Sequence, residues 1–239
     1  MAPPKKNEKN NTEDAKVNLD DLTTDLIKEL NKESDSRVAW NLSTDISPTH
    51  VVDWYSTGSS LLDAMISNKA TGGGLPGGRI VEIFGPPSIG KSHIAAQICI
   101  SAQKKGGIAV YMDTENAVNP ENLSALGVNT KRRFVYAQPE CIEEVFRVAE
   151  STINKLKSIN KEIPVVIVWD SLAASPAKAE LEGEYEDNSI GLAARKISQS
   201  LRKFTQLVGN KNVLFVILNQ TRTKVGCVAP DTEIQVRKK

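Results

Sequence analysis

Cysteine is scarce in this chain of 239 residues: Cys99, Cys141 and Cys227 are odd in number and far apart. That pattern excludes a disulfide framework and fits a reducing compartment. An excess of either charge is missing too, with 30 Lys+Arg against 29 Asp+Glu and a net charge of +1. The chain has no global polyelectrolyte signature, so any nucleic-acid binding has to come from local patches. No apolar run reaches membrane-spanning length, and Met1-Ala2-Pro3-Pro4-Lys5-Lys6 lacks the hydrophobic region of a signal peptide. No internal repeat is found. These absences predict a cytoplasmic protein with no membrane partner. What remains is ordinary globular composition, 40% hydrophobic and 25% charged, at a length that supports one sizeable core.

The clearest presence is Gly85-Pro86-Pro87-Ser88-Ile89-Gly90-Lys91-Ser92, a complete GxxxxGK[ST] phosphate loop. The β-branched run Ile80-Val81-Glu82-Ile83-Phe84 precedes it, and the helix-like stretch His93–Ile100 follows. Strand, glycine loop and helix N-terminus together build an anion cradle of inward N–H groups, favoured by the helix dipole. In such a cradle Lys91 reaches the β- and γ-phosphates of ATP, and the Ser92 hydroxyl holds Mg2+.

Further along, strand and helix signals alternate. Apolar strands are predicted at 108–112, 133–136, 165–170 and 213–218, with helices over 142–156 and 192–208. Strands that are apolar along their whole length, alternating with helices, predict a mostly parallel sheet covered on both faces. Ahead of this core, residues 1–16 read as a disordered polar arm. Residues 17–54 read as an N-terminal helix and its connection. Asp20 or Asp21 caps that helix, which runs through Glu33 and lines up Leu22, Leu26, Ile27 and Leu30. A stripe that short must dock on the main body or on a neighbouring subunit. Thr57–Asp63 reads as a turn into a helix, and Gly72–Gly78 as a flexible turn feeding the phosphate-loop strand.

Hydrolysis needs more than the loop: a metal-orienting carboxylate and a group that activates water. Asp170 ends the strand Val165–Trp169 in the Walker-B arrangement, which would complete the metal site with Ser92. Asp113 and Glu115 follow the strand ending at Met112, at the sheet edge where open α/β folds bind ligands. Either of them is a candidate base toward water. Asn219-Gln220 ends the last apolar strand; Gln220 is either a γ-phosphate sensor or part of a plain turn.

With these motifs in place, the chain resembles the RecA recombinases. The resemblance is carried by Ser56–Ser59, Leu75–Ile83, the phosphate loop, Asp113–Ala117, Gln138–Glu140 and Trp169–Ala174. It continues through Glu180–Glu184, Gly191–Arg195 and Asn219–Gly226. It runs in order from about residue 37 to 226 and implies a RecA-like phosphate-loop ATPase core over 55–226. The function it implies is DNA-dependent ATP hydrolysis in a helical filament on single-stranded DNA, driving pairing with double-stranded DNA and strand exchange. It makes Glu115 the catalytic carboxylate and Gln220 the sensor. Residues 182–191 resemble the first DNA loop, with Ile190 as the apolar wedge between bases. Arg195, Arg222, Lys224 and Gly226 resemble backbone-contacting positions, which suits a sequence-blind reader of single strands. The N-terminal helix resembles the element that docks on the adjacent subunit. Where the family has an adenine-stacking tyrosine, this chain reads Asn119-Pro120-Glu121-Asn122, which implies looser base selectivity.

The match breaks at Cys227. Residues 227–239 resemble the N-terminal splicing block of an intein, a cysteine with Asp231-Thr232-Glu233-Ile234 shortly after it. There the Cys227 thiol attacks the carbonyl of Gly226. The expectation is therefore the N-terminal half of a split or intein-interrupted recombinase, its core truncated inside the second DNA loop, with a complementary C-terminal fragment as partner. Two other readings remain: a catalytically silent precursor half that acts in protein trans-splicing through Cys227, or a related RecA-fold ATPase of the helicase or circadian-clock type.

Overall fold

The computed structural model describes residues 19–35, 37–45, 49–182 and 191–221. The chain divides into two compact units, residues 1–50 and 51–239.

In the first unit, helix α1 spans Leu19–Lys32. Its start corrects the expected cap: Asp20 and Asp21 lie inside the first turn, where their charge favours the helix dipole rather than capping the end. Leu22, Leu26 and Leu30 are exposed. The return after α1 is held by Asn31, whose Oδ1 accepts from Val38 N and Ala39 N at 2.8 and 2.9 Å. Its amide donates to Ala39 O at 2.9 Å.

The second unit is an α/β domain on a five-stranded, all-parallel sheet. The strands are β3 (Arg79–Gly85), β4 (Ile108–Asp113), β5 (Phe134–Ala137), β6 (Val165–Asp170) and β7 (Val213–Gln220), in the order β3-β7-β6-β4-β5. Alternation along the strands divides the core. Val110, Met112, Ile167, Trp169 and Phe215 form one layer with Phe146, Ile153 and Phe204 of helices α5 (Ile142–Ile159) and α7 (Leu192–Asn210). Tyr111, Val166, Val168, Leu214 and Val216 form the other with Ala95, Ile98 and Cys99 of α3 (Lys91–Lys104). Both faces are thus covered, which explains why β6 is buried at every position. Phe146 anchors the first layer, meeting Trp169 and Phe204 edge to face at centroid distances of 5.7 and 5.3 Å.

Two short strands escaped the sequence reading. β1 (Trp54–Tyr55) pairs antiparallel with β2 (Leu75–Pro76), inside the stretch read as a flexible turn. Two residues are too few to show a period. Gly74 explains the glycines there: its φ is +126°, and a Cβ would lie 2.2 Å from Tyr55 O. Helix α2 (Ser60–Ser67) follows the predicted turn and is capped by Ser59, which accepts from Leu62 N. Helices α4 (Pro120–Ala125) and α6 (Lys178–Glu182) were not anticipated. The first carried a readable signal, Asn119 as cap with proline at the first position. Arg133 corrects the expected start of β5: at φ +58° it lies outside the strand.

Candidate functional site

Parallel pairing brings the C-terminal ends of four strands side by side. Gly85 of β3 is opposite Gln220 of β7, and Asp113 of β4 is opposite Asp170 of β6. The phosphate loop leaves β3 here and enters α3 at Gly90, whose φ of +97° disfavours any side chain. No side chain caps α3, so its first-turn N–H groups remain available to an anion. Pro86, Pro87, Ser88 and Ile89 are exposed, with Ser88 at φ +60°. Lys91 Nζ folds onto the loop's own carbonyls, Pro86 O at 2.7 Å and Gly85 O at 3.1 Å.

Ser92 Oγ donates to Asp170 Oδ2 at 2.9 Å. The two residues implied for Mg2+ are therefore adjacent although 78 positions apart. A hydroxyl and a carboxylate form a sparse, hard-oxygen set, which suits a cation that keeps water and phosphate ligands. Burial raises the pKa of Asp170, while the hydrogen bonds from Tyr111 and Ser92 act against the rise.

Glu115 is exposed at the mouth of the site. Its Oε1 accepts from Gln220 Nε2 at 2.7 Å and from Ser171 Oγ. Gln220 thus lies on the candidate base rather than in an unengaged turn. Asp113, the other candidate base, is 1% exposed and accepts three hydrogen bonds. Its Oδ1 accepts from Glu115 N at 3.0 Å; its Oδ2 accepts from Val118 N at 3.0 Å and Tyr136 Oη at 2.8 Å. It shapes the turn that presents Glu115. Thr114 ties the same turn to β6: its N–H donates to Asp170 O at 2.7 Å, and its hydroxyl donates to Ser171 O and accepts from Ser171 N. Sequence reasoning missed Thr114, Ser171 and Tyr136, because nothing in a lone hydroxyl residue announces its partner.

A second polar hub organises Ser56–Ser59. Buried Asp63 accepts from Ser56 Oγ at 2.5 Å, Thr57 N at 2.8 Å and Thr57 Oγ1 at 2.7 Å. Burial works to raise its pKa, but these bonds outweigh it and hold the carboxyl below the ordinary value.

Of the DNA positions, Arg195 is exposed on the first turns of α7. Ile190, Arg222, Lys224, Gly226 and Cys227 lie outside the described residues.

Residues 23–236 match the family described as the RecA N-terminal domain. Similar proteins include "Protein RecA" of Treponema denticola, 41% identical over 178 residues, covering 74% of this chain and 40% of that protein. "Protein RecA" of a Wolbachia from Brugia malayi is 39% identical over 186 residues, 78% of this chain and 49% of that protein. "Protein RecA" of Clostridium acetobutylicum is 40% identical over 182 residues, 76% and 49%. The chain thus spans less than half the length of these relatives. With a phosphate loop, a strand-end aspartate and a Glu–Gln pair meeting at one edge of a parallel sheet, the chain belongs to the RecA N-terminal domain family.

Proposed function

We propose that this chain supplies the nucleotide-binding and catalytic part of an ATP-dependent DNA recombinase, acting in a filament of like subunits on single-stranded DNA. The observation that carries the reading is the convergence of Ser92 with Asp170 and of Gln220 with Glu115 at one sheet edge. ATP phosphates would lie against Gly85–Ser92, with Lys91 exchanging its carbonyl partners for phosphate oxygens. Ser92 and Asp170 would hold Mg2+, which neutralises charge on the phosphates when bound. Glu115 would take a proton from the attacking water at Oε1. Gln220 occupies that same oxygen. Moving its amide onto a γ-phosphate oxygen would release one of the two hydrogen bonds on Oε1, the Ser171 hydroxyl keeping the other, so sensing and activation are linked through the Gln220 amide. Arg195, Arg222, Lys224 and Gly226 would contact the DNA backbone, with Ile190 as the wedge. The exposed stripe of α1 would dock on the adjacent subunit.

The test is single-stranded-DNA-stimulated phosphate release in a protein joined at Gly226 to the rest of a family member. Glu115→Gln is expected to keep ATP and DNA binding and lose roughly 10²-fold or more in rate, the worth of a positioned base. Hydrolysis at the parent rate would refute the assignment.

The finer reading concerns residues 227–239. We propose that they open an intein, so that Cys227 begins an N-to-S acyl shift at Gly226 and a complementary fragment completes splicing. The support is the pattern Cys227, Asp231, Thr232, Ile234. The family match runs on to residue 236, so the competing outcome is a loop of the family's own chain.

A further inference from the structure

Tyr111 is fully buried in the layer beneath α3, where its neighbours in the cluster are Ala95, Ile98, Cys99, Val168 and Leu214. A phenylalanine would fill the same volume. The tyrosine adds only a hydroxyl, and its hydrogen-bond partner is Asp170, whose Oδ2 it meets at 2.6 Å. The same oxygen accepts from Ser92 Oγ at 2.9 Å, while Oδ1 takes no hydrogen bond among the described residues. A carboxylate turns easily about its terminal torsion, so two donors on one oxygen fix its plane. Of the two, only Ser92 belongs to the phosphate loop and is implied as a metal ligand. Tyr111 is held in the core on β4 and has no role in ligand contact. It therefore orients the carboxylate before any ligand arrives and goes on doing so while Ser92 is engaged.

We propose that Tyr111 is a positioning residue for nucleotide-linked metal binding, acting through its hydroxyl on Asp170. The inference rests on the nucleotide reading above. A hydroxyl that merely satisfied itself on burial would leave the cation response untouched, which separates the two roles.

The test uses the full 239-residue chain and a fluorescent ATP analogue, titrated with Mg2+. In Tyr111→Phe, metal-free affinity for the analogue should stay within about twofold, while the Mg2+ concentration for half-maximal tightening rises roughly tenfold, the scale of one charge-assisted hydrogen bond. In an Asp170→Asn background the same change should add nothing. Replacing Tyr111 by 4-aminophenylalanine, which keeps a donor, should restore the parent response. Circular dichroism of each variant checks the fold. A Mg2+ midpoint within about twofold of the parent overturns the inference, as does an equal shift in the Asp170→Asn background. A parent that binds the analogue without any response to Mg2+ overturns it as well. A parent that binds no analogue overturns the nucleotide reading itself, and this inference with it.

Discussion

Replacing the buried aspartate of the β4 turn by asparagine would dismantle half of an acceptor set while leaving its shape. Asp113 is 1% exposed and receives three hydrogen bonds, one on Oδ1 from Glu115 N and two on Oδ2 from Val118 N and Tyr136 Oη. The asparagine carbonyl would take the Oδ2 side and keep Val118 N and Tyr136 Oη, while its NH2 would face Glu115 N. A donor left without an acceptor costs about 1–3 kcal/mol, so Asp113→Asn should destabilise by about 1–3 kcal/mol. In a domain of this size that lowers Tm by roughly 2–12 °C. Urea unfolding followed by circular dichroism measures the loss. Adding Tyr136→Phe leaves the stranded Glu115 N–H as it is and should return nothing. The experiment also separates the two carboxylates of the turn: Asp113 acts by shaping the backbone, so its loss should speed amide exchange at Glu115. A variant within about 0.5 kcal/mol of the parent, with unchanged exchange there, would refute the reasoning.

Asp63→Ala strands the Ser56 hydroxyl and both Thr57 donors, and should cost about 3 kcal/mol by denaturant titration. Because the folded carboxyl titrates below its ordinary value of 3.8, the parent's advantage is full above about pH 4 and shrinks as pH falls through the lowered folded value; an advantage that grew on acidification would contradict this. For the tail, the 239-residue chain alone should show no appreciable DNA-stimulated ATPase, while mixing with a complementary intein-bearing half should restore it with a ligated mass. Cys227→Ala should block ligation by removing the thiol that starts the acyl shift; unimpaired ligation would refute the intein reading.

Much of the fold was legible because its strands are buried on both faces. Val165–Asp170 and Val213–Gln220 are apolar up to their polar ends, and such runs alternating with helices are the pattern of a covered parallel sheet. The phosphate loop was legible because its glycines answer a local backbone demand, as Gly90 does at φ +97°. What stayed hidden depends on contacts across the chain. Tyr111 reads as one more core aromatic until β4 and β6 are paired, when its hydroxyl meets Asp170. Asp113 and Glu115 are two alternatives from the residues alone, which the family resemblance resolves toward Glu115; the structure buries the first and leaves the second exposed. β1 and β2 are defined by each other and carry no signal alone.

Lys91 is where binding of nucleotide phosphates by Gly85–Ser92, as proposed, can be measured without disturbing the fold. Its ammonium rests on Gly85 O and Pro86 O, two loop carbonyls, so Lys91→Ala removes a point charge from the cradle without opening the core. Equilibrium titration of Mg-ATP against parent and variant is the measurement. Affinity should fall by at least about tenfold in Lys91→Ala while the fold is retained. Equal affinity in the two proteins would contradict the proposal.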